Sequence, residues 1–385
     1  MKSFVPLLLA FAVGAGQASP AVAASTSHHS SDKAAKAAKA KAVAKKAKGK
    51  AAKAAPAPKR PSIDYDGEQV NFHEWQTVRD FEDEMVSRNG FDRAEIEALV
   101  ARTRFIDSAV QLVKPAPPGK PKNWQAYSER FIEPIRINAG VRFWNENAGQ
   151  LARAEAEYGV PAEIIAGIIG VETIYGRDTG RFRVVDVLTT LAFAYPESPN
   201  RNDRMQFFRS ELEKTLLLAR KEGIDPFSLL GSFAGAVGMP QFMPGNILKY
   251  GVDYDGDGIV DLRNSAADAI GSVANFLVAH GWDRTATGPS VIEADVAPSM
   301  AWEPLLGGLE ARYSAAELQA AGVAPRTPLP DQRPYGLIDL QNGADPTEYW
   351  VANANFFAIT KYNRSYFYAM SVVELGRAVR LARGG

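Results

Sequence analysis

From residue 64 onward, apolar side chains recur at steps of three and four, the period of a helix with one face turned to a core. Phe72, Trp75, Val78, Phe81 and Met85 keep that rhythm, and similar spacing predicts helices over 94–103, 144–158, 206–221 and 368–383. Alternating β-branched residues are scarce, so the chain is expected to be mainly α with small strand content, an α+β minority at most. Between 285 and 334 the text is rich in Pro, Gly and Ala, which predicts loops and short helices. No internal repeat is found.

One predicted helix carries chemistry. Over residues 158–176, Pro161 suits a first helical position and Gly176 a C-terminal stop. Ile165, Ile168 and Ile169 lie seven, four and three positions before Glu172, so this carboxylate extends an apolar stripe. Removal from water raises a carboxyl pKa, the condition for a general acid near neutral pH. The pattern leaves two readings open: such an acid, or a rim glutamate paired with Arg177 or Arg181.

Two further segments stand out. Residues 231–245 interleave glycines and prolines with Phe and Met, describing backbone approached closely by something else, with Ser232 and Gln241 as hydrogen-bonding groups. No Gly-Lys-Ser/Thr follows, which excludes a phosphate loop. Residues 253–261 then place Asp at positions 1, 3, 5 and 9 and Gly258 at position 6 of an EF-hand-like loop, with the Ile259 carbonyl at position 7. Position 12 is Asn264 where a bidentate Glu is expected, and Asp268 stands one turn further on. A single such loop points to structural calcium, and an Asx-rich turn is the alternative.

Charge changes the picture at the other end. The 385 residues hold 44 basic and 44 acidic side chains, but residues 1–60 contain twelve Lys/Arg and one Asp, leaving 32 basic and 43 acidic for the remainder. A basic segment thus precedes an acidic body. Met1-Lys2, an apolar run from Phe4 to Ala15 and small residues to Ala24 have the order of a secretory signal, expected over 1–24. Residues 25–61 are Ala, Lys and Pro and are expected to be a disordered basic linker, either a solvated spacer or a tether drawn to an anionic envelope. The body is expected over 62–385. With no Cys, disulfide scaffolds, thiolate metal sites and cysteine nucleophiles are excluded. No later apolar run is long enough for a transmembrane anchor.

Gly170-Val-Glu-Thr-Ile-Tyr-Gly176, the 231–244 segment, the acidic loop leading to Asp268, His280-Gly-Trp282, Ile359-Thr-Lys-Tyr-Asn-Arg-Ser365 and Tyr368-Ala-Met370 come in one order. Together they resemble the membrane-bound lytic transglycosylase B family, over roughly residues 65–383. The resemblance implies a lysozyme-like core with an additional helical region and a single calcium loop. It implies cleavage of the MurNAc-GlcNAc β-1,4 bond of peptidoglycan with formation of 1,6-anhydro-MurNAc. By position, Glu172 is implied as the sole catalytic acid/base, and Tyr127, Ser232, Gln241, Tyr362, Asn363 and Tyr368 as substrate-binding. Asp253, Asp255, Asp257, Ile259 and Asp268 are implied calcium ligands. Glycan strands are the implied partner, with no nucleic acid, no organic cofactor and a monomeric state. The protein is expected to be exported to the periplasm or cell envelope and soluble after signal cleavage. The chain departs from the family pattern in lacking a lipobox Cys and in carrying Gly245-Asn246 where Ser is usual. A muramidase-type hydrolase and a non-catalytic peptidoglycan-binding scaffold are the alternatives.

Overall fold

The computed structural model describes residues 63–115, 121–330 and 332–384. The expected signal and basic linker lie outside the described residues. Nine helices of ten or more residues carry the described chain: α1 (Gln76–Asn89), α2 (Arg93–Arg102), α3 (Pro134–Glu146), α4 (Ala148–Tyr158), α5 (Ala162–Thr173), α6 (Val184–Phe193), α7 (Arg201–Glu222), α8 (Ala266–Ala279) and α9 (Tyr366–Ala382). None is long and apolar enough to cross a membrane.

The centre is α5, whose residues from Ile164 to Val171 are all buried. An all-apolar helix must be covered on every side, and α3, α4, α8 and α9 surround it. Two glycines bring α5 and α9 together: a Cβ on Gly167 would stand 2.3 Å from the Val372 carbonyl oxygen, and one on Gly376 would stand 2.2 Å from that of Glu163. This close approach fixes the start of α9 beside the end of α5.

Several boundaries differ from the sequence expectation. The helix expected over 144–158 is broken at Asn147, whose side-chain amide donates to the Phe143 carbonyl at 2.8 Å and ends α3 before α4 begins. Ahead of α1, Phe72–Glu74 form a 3-10 turn and Trp75 is extended, while the Phe72 and Trp75 rings stay in edge contact at 5.1 Å. Pro161 caps α5 from outside, one residue before the helix begins.

The stretch expected as loops and short helices contributes strands as well. β1 (Val291–Val296), β2 (Val323–Pro325), β3 (Gly336–Asn342) and β4 (Asp345–Ala352) form an antiparallel sheet in the order β2-β1-β4-β3. It encloses its own small core, in which Trp302, Leu318, Tyr335, Leu337 and Val351 are buried together. β1 pairs with β2 and β4, both remote in sequence, so no local alternation announces it, whereas β3 and β4 form a hairpin through residues 343–344, beyond the stretch read as loops.

Candidate active site

Glu172 sits in the last turn of α5, and the chain leaves that helix through two consecutive left-handed residues, Ile174 (φ 52°) and Tyr175 (φ 58°). The helix therefore stops before Gly176, earlier than the sequence suggests. Non-glycine residues in this region are costly and persist only where neighbours hold them. Here the Thr173 hydroxyl donates to the Met239 carbonyl at 2.8 Å and accepts the Gly176 N–H at 3.0 Å. The buried Arg136 donates from Nε to the Gly170 carbonyl at 2.9 Å and from Nη1 to the Arg130 carbonyl at 2.5 Å. These contacts tie the end of α5 to α3 and to the 231–245 segment.

Glu172 is half-buried in an apolar setting. Its single hydrogen bond among the described residues comes from Tyr368, whose hydroxyl donates to Oε1 at 2.6 Å. Neither Arg177 nor Arg181 pairs with it, and the Arg181 guanidinium lies 5.7 Å from the Tyr65 ring. The paired-rim reading is thereby set aside. Burial pushes the Glu172 carboxyl up to about 8, with the Tyr368 hydrogen bond pulling it down, and no charged side chain contributes to the shift. A carboxylic acid so placed holds its proton at neutral pH and can give it up when negative charge is drawn onto a leaving oxygen.

Tyr368 enters from the first turn of α9, where the Ser365 side chain caps the helix. Its ring stacks on Tyr362 at 6.3 Å, and the Tyr362 hydroxyl donates to the Pro240 carbonyl at 2.7 Å. Burial, reinforced by the Glu172 charge, raises both phenols well above their ordinary value, so both stay protonated. Tyr127 is electrostatically coupled to Glu172 and packs edgewise on Phe367 at 5.4 Å. Burial, with the Glu172 charge adding to it and Arg130 opposing, pushes its phenol up to about 12.

The structure thus groups Glu172, Tyr127, Tyr362 and Tyr368. Ser232 and Gln241 serve the glycine-rich turn: Ser232 Oγ accepts the Ala236 N–H at 3.0 Å, and Gln241 Nε2 donates to the carbonyls of Thr179 and Gly238 at 3.2 and 3.0 Å. The Ser232 hydroxyl proton and Gln241 Oε1 have no partner among the described residues, and neither side chain hydrogen-bonds to Glu172. Asn363 is half-buried just before α9. The backbone of 231–245 is shaped by contact: Gly238 (φ 75°) would place a Cβ 2.3 Å from the Leu262 carbonyl oxygen. At the Gly245-Asn246 departure, Gly245 meets the flexible ends of the Glu211 and Lys214 side chains. The Gly245 N–H donates to Glu211 Oε2 at 2.7 Å, and a Cβ there would stand 2.8 Å from Glu211 Oε1. Sequence reasoning missed Arg136, Thr173 and Phe367, whose roles depend on partners distant in the chain.

In the acidic loop, carboxylate oxygens of Asp253, Asp255 and Asp268 come within 4.8 Å of one another. Asp268 is buried, and no ion pair among the described residues involves any of the three. These all-oxygen donors fit a hard cation, and they also accept groups of the loop itself: Asp253 takes the Gly256, Asp257 and Gly258 N–H groups, Asp268 those of Tyr254 and Asp261, and Asp255 the Ser265 hydroxyl. Asp257 stands outside this cluster, its Oδ1 accepting the Ile259 N–H at 2.9 Å. Burial raises the Asp268 carboxyl, backbone N–H donors oppose that, and the Asp255 charge adds to it.

Residues 72–377 match the family described as the Transglycosylase SLT domain. Membrane-bound lytic murein transglycosylase B of Escherichia coli is 43% identical over 318 residues, covering 80% of this chain and 83% of that protein. The E. coli lytic transglycosylase SLT35, solved in complex with calcium, is 40% identical with a TM-score of 0.73, covering 83% of this chain and 97% of that one. SltB3 of Pseudomonas aeruginosa, solved in complex with NAG-NAM-pentapeptide, is 28% identical with a TM-score of 0.67 and covers 79% of each chain. A raised, tyrosine-bonded carboxyl at the end of a buried helix is thus set in a fold shared with peptidoglycan-cleaving enzymes, and the chain belongs to the transglycosylase SLT domain family, that of the lytic murein transglycosylases.

Proposed function

We propose that Glu172 is the single acid/base of a ring-closing cleavage of peptidoglycan strands. A hydrolase of sugars uses two carboxyls, one to protonate the leaving oxygen and one to attack carbon or activate water. The observation that carries the single-carboxyl reading is the environment of Glu172: one phenol hydrogen-bonds to it and no second acid perturbs it. Protonated Glu172 gives its proton to the glycosidic oxygen as the bond to C1 breaks. The resulting carboxylate then accepts the proton of the same sugar's C6 hydroxyl, whose oxygen bonds to C1. The acid is regenerated and no water is consumed. Tyr368 holds the carboxyl in place through both steps, and Tyr362 holds Tyr368. Tyr127 supplies a flat ring with a polar tip, the chemistry that suits a sugar face. Ser232, Gln241 and Asn363 offer the neutral polar groups that orient its hydroxyls.

The substrate in this reading is a glycan strand whose MurNAc units carry peptides, as in the fragment bound by SltB3. Asp253, Asp255 and Asp268 hold a structural calcium ion, with Asp257 and the Ile259 carbonyl completing its shell. Residues 1–24 act as an export signal to the envelope, and the basic 25–61 segment adds salt-sensitive attraction to anionic wall polymers. The protein works as a monomer. Glu172→Gln in folded protein, confirmed by an unchanged circular-dichroism spectrum, tests the assignment. Cleavage of purified strands is expected to fall about 10³-fold or more, and retained cleavage rejects it.

A further inference from the structure

A cavity of about 370 Å³ lies at the start of α5, about 15 Å along that helix from Glu172, and none of the residues grouped around the catalytic carboxyl lines it. Its walls are the first turn of α5, the 282–290 loop that follows α8, and the face of α9 that carries Val373, Arg377 and Arg380. The volume lies within the roughly 300–1,000 Å³ of ligand clefts. The loop wall is held in place. Trp282 Nε1 donates to the Gly159 carbonyl at 2.9 Å, and the Asn355 side chain accepts the Asp283 N–H at 2.7 Å while donating to the Asp283 carbonyl at 3.0 Å. Gly159 (φ 72°) makes room for Arg284, since a Cβ there would stand 2.3 Å from Arg284 Cβ.

Three arginines line this cavity against two acids, and both acids are already paired. Glu163 Oε2 meets Arg380 Nε at 2.6 Å, and Asp283 is held by Arg333 from outside the cavity. Arg377 is half-buried and makes no side-chain hydrogen bond or ion pair among the described residues. Glu374, one turn earlier on α9, does not neutralise it: burial and the Glu348 charge push that carboxyl up to about 7, with Arg377 opposing. Arg284 has no acidic partner among the described residues and donates only to the Ala156 and Glu157 carbonyls, at 3.2 and 3.4 Å. Two guanidinium groups from different elements on one cavity call for an anion. A carboxylate has two oxygens and fills one guanidinium fork, whereas a phosphate group presents oxygens to both. We propose that this cavity binds a phosphate group, with Arg284 and Arg377 donating to its oxygens and Ile164 and Val373 meeting the carbon chain of a phosphate ester. A soluble phosphate ester and the headgroup of an anionic phospholipid share this chemistry, so the source has to be separated by experiment.

The test uses the full chain as wild type, as the Arg284→Ala/Arg377→Ala pair and as the charge-preserving Arg284→Lys/Arg377→Lys pair, each checked for an unchanged melting temperature. Glycerol phosphate is titrated by calorimetry, with malonate as a dianion that lacks phosphorus, and vesicles of phosphatidylglycerol in phosphatidylcholine are read by co-sedimentation. Wild type is expected to bind glycerol phosphate one to one, and the alanine pair to bind it about tenfold more weakly or worse. The lysine pair is expected to fall between them, because lysine keeps the charge and loses the fork. No binding by wild type, binding that the alanine pair leaves unchanged, or malonate binding as tightly overturns the assignment. With the soluble probe discriminating, vesicle retention that falls in the alanine pair identifies a lipid headgroup, and equal retention identifies a soluble ester; either upholds the site. Strand cleavage is expected to agree within about twofold among the three proteins. A larger loss in the alanine pair would tie these arginines to cleavage and overturn their assignment to a separate site.

Discussion

The Tyr368 hydroxyl donates a 2.6 Å hydrogen bond to Glu172 Oε1 across a separation of 196 residues. It is the one polar contact Glu172 makes among the described residues, and it has two opposed effects. It stabilises the ionised carboxylate, working against burial, and it fixes the carboxyl's orientation. Tyr368→Phe is therefore expected to lower kcat/KM by about 10- to 100-fold and to raise the apparent pKa of the falling alkaline limb. A pH profile of strand cleavage reads both. A limb shifted to lower pH contradicts the assigned role.

The raised Glu172 pKa also ties stability to pH. Its ordinary value is 4.5 and its folded value is about 8. Between those values the folded state binds more protons at this group than the unfolded chain, so Glu172 makes stability fall as pH rises through that window. Glu172→Gln removes the effect. Its melting temperature relative to wild type is expected to increase from pH 5 to pH 8, reflecting about 1–3 kcal/mol. A difference independent of pH across that window argues against a protonated, poorly solvated acid.

Calcium is expected to stabilise the folded chain by mass action. A chelator should lower the melting temperature by several degrees, corresponding to about 2–3 kcal/mol at calcium a hundredfold above Kd. Asp268→Asn should abolish the response, since its buried carboxylate anchors the cluster. Identical melts with and without chelator in the wild-type protein rule out a stabilising ion there.

Gly238 offers a test of the loop. Gly238→Ala combines a left-handed φ of 75° with a Cβ placed 2.3 Å from the Leu262 carbonyl oxygen, a backbone atom that cannot swing aside. A loss of about 2 kcal/mol or more in urea unfolding is expected, along with reduced cleavage, because Pro240 in the same loop accepts the Tyr362 hydroxyl.

Legibility followed the range of the interactions. The helical period placed Glu172 on the apolar stripe, and α5 is buried as that stripe requires. The carboxyl's partner did not follow from the period, because neighbouring arginines were the local candidates while the residue that bonds it is on α9. Only the resemblance brought Tyr368, Tyr362 and Tyr127 into the same site. Helix breaks such as Asn147 depend on one side chain bonding a nearby backbone carbonyl, and β1 and β2 depend on pairings between distant short segments, while β3 and β4 went unread although they are neighbours in the chain. The acidic loop was readable because its spacing is local, yet it did not reveal that Asp257 stands apart from the Asp253, Asp255 and Asp268 cluster.

The most direct measurement is mass analysis of the fragments released from purified sacculi by wild-type protein, with Glu172→Gln as control. The account predicts terminal 1,6-anhydro muropeptides, each one water lighter than its hydrolytic counterpart, from wild type and almost none from the variant. Reducing ends from wild type, or anhydro ends undiminished in Glu172→Gln, would contradict it.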